Sequence, residues 1–252
     1  MTAVALAPGR TPFLLPLNPL AKIAAALPAM VSLVFVRDLA IPAAFIGLAY
    51  LVLVTGARWS ARLVLVLAAV VPLAVVVVGV GFALWVDPSM GGTAVLSVGS
   101  WALTDTALTV GLATGLRLAA IGSLALIGGL TMTGTDLVRA LVQQLRVPYR
   151  IGYAALAAIR FVPRFGRELE TIRQAHRVRG VGGFAPRRWI RTVVPLLAGG
   201  IRHAERVALA MDARAFGAHP DRTERHHVPW RPRDTAFVLT FWAVSAAVFV
   251  AV

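Results

Sequence analysis

The run LVLVLAAVVPLAVVVVGVGFALWV, from Leu63 to Val86, decides the fold class of this chain. It contains no charged side chain, and it is longer than the roughly 20 apolar residues that a helix needs to cross the bilayer core. Inside that core the backbone has no water to bond, so a single spanning segment has to be helical. The run therefore predicts a membrane-spanning α-helix.

Four further apolar runs flank this segment. They are Leu20–Val36, Leu39–Thr55, Asp105–Thr131 and Thr235–Val252. The whole chain of 252 residues is 58% hydrophobic and only 14% charged, whereas soluble domains carry about 25% charged residues. There is no cysteine, which excludes disulfides, thiol catalysis and thiolate metal sites. The sequence predicts an all-α, polytopic membrane protein with about five transmembrane helices.

The distribution of arginine predicts the orientation of the spans. Arg58 and Arg62 lie between the second and third spans, whereas Asp87–Thr104 contains no Lys or Arg. The block Met132–Asp234 contains 19 Arg against 8 acidic residues. Positive loops stay on the cytoplasmic side, so we expect a cytoplasmic block and N-terminus and an external C-terminus. Only the Arg37-Asp38 turn is a mild exception. The predicted organisation is a four-span region at residues 1–131, cytoplasmic helices at 132–234 and a last transmembrane helix at 235–252.

Two apolar stripes run through the basic block at helical spacing. The first is Ile151, Ala155, Ala158, Val162, Phe165, Leu169 and Ile172, and the second is Ile190, Val194, Leu197, Ile201, Ala204, Ala208 and Met211. Such stripes predict two long amphipathic helices that need cover from each other or from the membrane interface. We expect a shared seam, formed by Ala155, Ala158, Val162, Phe165, Leu169 and Ile172 against Val194, Leu197, Ile201 and Ala204. Pro163 is expected to bend or break the first helix near Arg160, and a shorter leading helix over Arg139–Arg146 should begin with Thr135 or Asp136 as its N-cap.

Each long helix is expected to end at an arginine, in the stretches Gln174–Gly180 and Met211–Gly217. Arginine stays charged and forms bidentate bonds to carboxylates, so Arg179 and Arg214 on rigid rods suit acidic sockets on another protein. The alternative for any basic residue here is favourable interaction with the helix dipole, at about 0.3–1 kcal/mol. A further alternative is attraction of the basic residue to anionic lipid headgroups, at about 1 kcal/mol per residue. We prefer these two alternatives for Arg160, Arg164, Arg167 and Arg173.

The order of several short motifs resembles one family. They are Leu17-Asn18-Pro19-Leu20-Ala21-Lys22, Thr133-Gly134-Thr135-Asp136-Leu137, Arg160-Phe161-Val162-Pro163, Arg177-Val178-Arg179-Gly180 and Asp212-Ala213-Arg214-Ala215-Phe216-Gly217. Over about residues 15–252 the chain resembles the transmembrane (T) component of energy-coupling factor (ECF) transporters, which includes cobalt and biotin permease subunits. The last two motifs match the family's paired Ala-Arg-Gly motifs, with Val178 in place of Ala and Ala215 in place of Gly.

The resemblance implies a non-catalytic subunit of an ABC importer in the cell membrane. Such a subunit has no cofactor and passes the motion of two ABC ATPase subunits to a substrate-binding membrane (S) subunit, for uptake of a vitamin or a metal ion. It would have no nucleic-acid partner. The implied ATPase-coupling residues are Val178, Arg179, Gly180, Ala213, Arg214 and Ala215.

Two other classes of protein stay open at this point. A membrane-embedded enzyme of lipid chemistry would need clustered carboxylates or histidines, but Glu168, Glu170 and Glu205 are isolated on basic faces. A membrane-anchored basic binding scaffold would use the net charge of +14, but aromatic residues do not alternate with the basic ones.

Two features of the fourth span also stay open. Arg117 lies inside this span, where an unpaired charge is expensive. A pathway role stays open, and so do pairing with a neighbouring helix and simple helix packing with an aqueous notch. Small residues at Gly111, Gly115, Ala119 and Ser123 favour close helix packing over a docking face.

Overall fold

The computed structural model describes residues 12–86, 93–98, 101–180, 185–219 and 223–251. The chain divides into two compact units. One contains residues 1–133 and 229–252, and we call it the membrane unit. The other contains residues 134–228, and we call it the basic unit.

Helices occur at all five apolar runs of the membrane unit. They are α1 (Pro19–Phe35), α2 (Ala40–Gly56), α3 (Ala61–Leu65), which continues through a π-helical segment (Val66–Val70) into α4 (Val71–Ala83), then α5 (Asp105–Thr131) and α9 (Pro232–Ala251). Among the described residues, three helical stretches are long and apolar enough to cross a membrane: Leu63–Ala83, Asp105–Thr131 and Pro232–Ala251. The helices α1 and α2 are shorter, with 17 residues each. The predicted all-α membrane fold is confirmed.

Helices α4 and α5 approach each other closely through glycines. A Cβ atom added to Gly111 would lie 2.7 Å from the backbone nitrogen of Ala83, and one added to Gly115 would lie 2.6 Å from the carbonyl oxygen of Val75. Any side chain at these two positions would push the helices apart. The structure therefore confirms close packing as the role of the small residues Gly111 and Gly115.

A two-stranded antiparallel hairpin precedes α5. Its strands are β1 (Ala94–Val98) and β2 (Trp101–Thr104), with Val98 opposite Trp101 and Ala94 opposite Thr104. The register shifts between Ala94 and Leu96. The hairpin was not predicted, because a loop without a clear turn motif gave no strand signal.

The core of the membrane unit lies where α1, α2, α5 and α9 meet. Leu33, Phe45, Leu53 and Leu124 are completely buried there, and the Phe45 and Phe249 rings contact each other at a tilt of 50°, with 5.2 Å between centroids. By contrast, α4 leaves many apolar side chains exposed, including Leu73, Val76 and Val77. Such a surface is stable only against lipid or another membrane protein.

The described part of the basic unit contains three helices. They are α6 (Gly134–Gln144), α7 (Tyr149–Val178) and α8 (Ala185–Asp212). With 30 and 28 residues, α7 and α8 are rods of roughly 40–45 Å. The helix α6 starts at Gly134, before both Thr135 and Asp136, the two predicted starts. The predicted break near Arg160 is wrong, because α7 runs through Pro163 without interruption. Proline has a helical φ, so it removes one backbone hydrogen bond without ending the helix.

Helix α7 contacts a different face of α8 from the predicted one. The Phe161 ring stacks on the His203 imidazole at 4.7 Å between centroids, and a Cβ on Gly200 would lie 2.9 Å from Cε2 of Phe165. Glycine lets a large aromatic side chain of α7 approach the α8 backbone. Phe165 belongs to the predicted stripe of α7, but Gly200 and His203 lie outside the predicted stripe of α8.

The predicted seam is corrected accordingly. On α8, Val194, Leu197 and Ile201 are more than half exposed, and Ala204 is exposed too. On α7, Val162 and Ala158 are exposed, whereas Ala155, Phe165, Leu169 and Ile172 are partly buried. The period of apolar residues correctly indicated amphipathic helices, but it did not say which face the partner helix covers.

Candidate functional site

The first arginine-bearing end closes α7 with a left-handed glycine. Arg179 occupies the C-cap, where its N–H donates to the Ala175 carbonyl at 3.1 Å. Gly180 follows with φ of 60°, the conformation that ends many helices and that glycine adopts at least cost. Val178, Arg179 and Gly180 are all exposed. This end is therefore a short, freely accessible tip.

The second arginine-bearing end is a longer turn that folds back. After α8 the amides of Ala213, Arg214 and Phe216 donate to carbonyls of the last helical turn, at 2.9, 3.1 and 3.0 Å. Ala215 has φ of 52° and Gly217 has φ of 89°. Ala213, Arg214 and Ala215 are exposed. These two left-handed residues prevent the helix from continuing past the turn, and Arg214 precedes both of them with an exposed side chain.

Aromatic contacts attach this turn to the beginning of α7. The Phe216 ring meets the Tyr149 ring edge-on at 5.7 Å and the Tyr153 ring at 6.2 Å. Arg150 donates to the Gly217 carbonyl at 2.5 Å, and the Tyr149 hydroxyl donates to the His219 carbonyl at 2.6 Å. We call Tyr149, Arg150, Tyr153 and Phe216 the aromatic anchor. Sequence reasoning missed it, although the paired tyrosines at i and i+4 were a visible signal.

A basic cleft of about 910 Å³ opens between α7 and α8 beside this anchor. Six arginines line it: Arg139, Arg160, Arg164, Arg167, Arg214 and Arg225. Among the described lining residues, the carboxylate is that of Glu224, which accepts from the Tyr153 hydroxyl at 3.1 Å. So many guanidinium groups around one carboxylate create a strongly positive surface that favours an acidic partner.

The segment after the anchor is tied to α6. The Gln143 side chain donates to the His226 carbonyl at 2.8 Å and accepts from the Val228 amide at 2.8 Å. Gln144 donates to the Val228 carbonyl at 2.7 Å. These bonds give residues 223–228 a defined path although they form no helix or strand.

A polar cluster in the membrane unit occupies the ends of the helices that lead to the basic unit. Lys22 is fully buried, and its ammonium donates to the Thr131 carbonyl at 2.8 Å, in the last turn of α5. Asp234, near the start of α9, accepts from the Asn18 amide at 2.8 Å and from the Arg231 amide at 2.7 Å. A cation at a helix C-terminus and an anion at a helix N-terminus both complement the helix dipole. The cluster therefore holds α1, α5 and α9 together where the chain enters and leaves the basic unit.

No cluster with the ligands of a metal centre emerges from the described part of the chain. It contains no group of three or more His, Asp or Glu side chains that could hold a metal ion. Arg117 does not pair with a neighbouring helix among these residues, and its buried Nε has no hydrogen-bond partner there. What the geometry offers is two exposed arginines at the ends of long rods.

Comparison with known proteins relates the chain to a transport family. The family model described as "CbiQ: Cobalt transport protein" matches residues 13–225. The energy-coupling factor transporter transmembrane protein EcfT of Thermotoga maritima is 35% identical over 100 residues, which cover 37% of each chain. The EcfT of Streptococcus thermophilus is 29% identical over 171 residues, which cover 63% of this chain and 65% of that protein.

A third relative carries a different name. A putative ABC transporter ATP-binding protein of Bifidobacterium longum is 28% identical over 170 residues, which cover 62% of this chain and 22% of that protein. The matches to the two EcfT proteins span between about a third and two thirds of those proteins.

Proposed function

This chain belongs to the CbiQ family of cobalt transport proteins, and we propose that it is the energy-coupling membrane subunit of an ECF-type importer. In this proposal it binds no nucleotide and catalyses no reaction. Two ABC ATPase subunits bind its basic unit, and a separate substrate-binding membrane subunit contacts its membrane unit. The transported substrate is a vitamin or a metal ion. The names of the EcfT relatives and of the ATP-binding relative support this assignment.

The observation that carries the proposal is the pair of exposed arginines at the ends of α7 and α8. Arg179 and Arg214 are exposed charged groups at the two tips, and no ion pair within 4 Å involves either of them in the described part of the chain. A free guanidinium at the end of a rod can enter an acidic groove and form a bidentate bond. We assign the surrounding Val178, Gly180, Ala213 and Ala215 to the shape of these tips.

Transmission of motion follows from the stiffness of the rods. Each ATPase subunit would hold one arginine tip, so closure of the ATPase pair would move the two tips relative to each other. Because α7 and α8 contact each other through Phe165, Gly200 and His203, a displacement at the tips becomes a rotation of the helix pair. The basic unit begins three residues after α5 and ends shortly before α9, so the rotation would reach both spans.

The first experiment removes both arginines. In the double variant Arg179→Ala/Arg214→Ala, the ATPase subunits should no longer copurify and uptake should fall to background. Loss of one charge from such a pair typically costs about 2–5 kcal/mol, which is about 30-fold or more in affinity. The matched control is Arg173→Ala/Arg202→Ala, which removes the same charge from exposed positions on the same helices. Normal copurification in the first variant, or equal loss in the control, contradicts the proposal.

We also propose that the N-terminus and the basic unit are cytoplasmic and that the α4–α5 connection is external, in the cell membrane. Support comes from the arginine excess of residues 132–234. Single-cysteine labelling tests it, because the chain contains no cysteine. A membrane-impermeant maleimide should label Ser100→Cys in intact cells and Arg173→Cys only after permeabilisation. The reverse pattern would invert the topology.

A further inference from the structure

A pocket of about 540 Å³ lies in the membrane unit, between the end of α1 and the N-terminal half of α5. Its lining combines an apolar half with a charged half. Val34, Phe35 and Val110 form the apolar rim and are exposed, Phe35 to 80%. The charged groups of the lining are the guanidinium groups of Arg37 and Arg117. Two cations at one cavity repel each other, and an anion bound between them would offset that repulsion.

The described residues do not supply that anion. The Nε atom of Arg117 is buried and has no hydrogen-bond partner. Within the described residues no carboxylate lies within 4 Å of either guanidinium, and this includes Asp38 beside Arg37. Arg117 is only partly exposed and Arg37 is exposed, and an unpaired charge on a membrane-spanning helix is costly. A ligand of opposite charge would therefore stabilise the pocket.

The depth of the pocket identifies the chemistry of that ligand. The turn between α1 and α2 is not helical, so its backbone has to lie at the polar interface rather than in the hydrocarbon core. Side chains on a helix tilt toward its N-terminus. Arg117 therefore tilts toward Ala113 and Thr114, which line the same pocket as Arg37. Both guanidiniums thus reach headgroup level, where the phosphates of the bilayer lie.

We infer that this pocket binds one membrane phospholipid, with its phosphate between Arg37 and Arg117. The planar guanidinium groups match the oxygens of a phosphate. The acyl chains lie along Val34, Phe35 and Val110, which are the exposed apolar groups at the mouth of the pocket. This apolar rim distinguishes a lipid from free phosphate, because free phosphate gains nothing from it. The bound lipid joins the α1–α2 turn to α5 and neutralises Arg117.

The test is a binding titration of the full-length protein in non-ionic detergent, read by native mass spectrometry. Three probes separate the two halves of the ligand: dioctanoyl-phosphatidylglycerol, dioctanoylglycerol without phosphate, and sodium phosphate without acyl chains. The wild-type protein should bind one phosphatidylglycerol and neither of the other two at the same concentration. Arg37→Gln and Arg117→Gln should each weaken binding about tenfold or more, since each removes a charged hydrogen-bond donor.

Two further variants control for charge and for folding. Arg58→Gln removes an exposed cation from the linker at the opposite end of α2 and should leave binding unchanged. Arg117→Lys retains the charge and should bind better than Arg117→Gln, which a merely misfolded protein would not show.

Three results would overturn the inference. Equal weakening by Arg58→Gln would mean general attraction of lipid to a basic protein. Equal binding of sodium phosphate would mean an anion site without lipid. Unchanged lipid binding by Arg117→Gln, together with loss of a copurifying membrane protein, would mean that a partner's carboxylate pairs with Arg117.

Discussion

The two arginine-bearing helix ends carry the same kind of motif but are supported in different ways. The α7 end is a bare tip: Val178 is 89% exposed, and a Cβ on Gly180 would meet nothing within 4 Å. The α8 end is fixed by the aromatic anchor, through Phe216 between two tyrosines and Arg150 on the Gly217 carbonyl. Similar sequence at the two ends therefore does not mean similar mechanics.

The difference indicates how each arginine moves. Arg179 moves with the last turn of α7, because its neighbours Val178 and Gly180 are exposed. Arg214 is tied to the last turn of α8 and also to the first turn of α7, because the anchor joins the two. A force on Arg214 consequently acts on both rods, whereas a force on Arg179 acts first on one.

The largest expected effect comes from removing the anchor with Phe216→Ala. A buried Phe→Ala change costs about 3–5 kcal/mol; Phe216 is half-buried, so we expect about 2 kcal/mol. The amides of residues 213–219 should exchange with deuterium about 30-fold faster. Val178→Ala at the other tip is the control and should stay within about 0.5 kcal/mol, since its side chain is exposed. If both variants exchange alike, the anchor does not support the α8 end.

Sequence reasoning predicted the elements of this molecule better than the contacts between them. The span Asp105–Thr131 is correct at both ends, because an apolar run bounded by polar residues determines a membrane helix almost by itself. The end of α7 was also recognisable from Gly180, whereas α8 ends at Asp212, five residues before the predicted stop near Gly217. In each of these cases the signal is local in the sequence.

What could not be predicted depends on residues far apart in the chain. The anchor joins Tyr149 to Phe216, and no sequence pattern links the two. The α8 stripe at Val194, Leu197 and Ile201 was predicted to pack against α7. The spacing of apolar residues reveals an apolar face, but it does not reveal which partner covers that face. Lys22 appeared only as part of a motif; its hydrogen bond to the Thr131 carbonyl required the packing of α1 on α5.

A smaller effect is expected at the free tip, from Gly180→Ala. The φ of 60° is unfavourable for any residue with a Cβ. A Cβ at this position would contact no neighbouring atom, so the backbone conformation alone sets the cost of the substitution. We expect a loss of about 1 kcal/mol, confined to the last turn of α7. Faster exchange of the amides at residues 177–180 measures it.

The control for Gly180→Ala is Gly166→Ala in the middle of α7. Its added Cβ also meets open space, but the helical backbone there should make alanine stabilising by about 0.5–1 kcal/mol. If both substitutions changed the stability in the same direction, backbone conformation would not set the cost of alanine at residue 180.

The smallest effect tests the strain of the anchored end, through Ala215→Gly. Alanine at φ of 52° costs roughly 1 kcal/mol relative to glycine, but glycine also gives the unfolded chain more freedom, at about 0.4–1 kcal/mol. The two terms nearly cancel, so we expect a gain between zero and about 0.5 kcal/mol, measured as slower amide exchange at residues 213–217. Ala213→Gly serves as the matched control, because Ala213 lies two residues earlier and has no positive φ. This variant should lose about 0.5–1 kcal/mol of stability. A loss of that size at Ala215 would mean that the anchor imposes no strain on this residue. A gain would mean that Phe216 and Arg150 hold Ala215 in a conformation it would not adopt alone, as expected if this end transmits force.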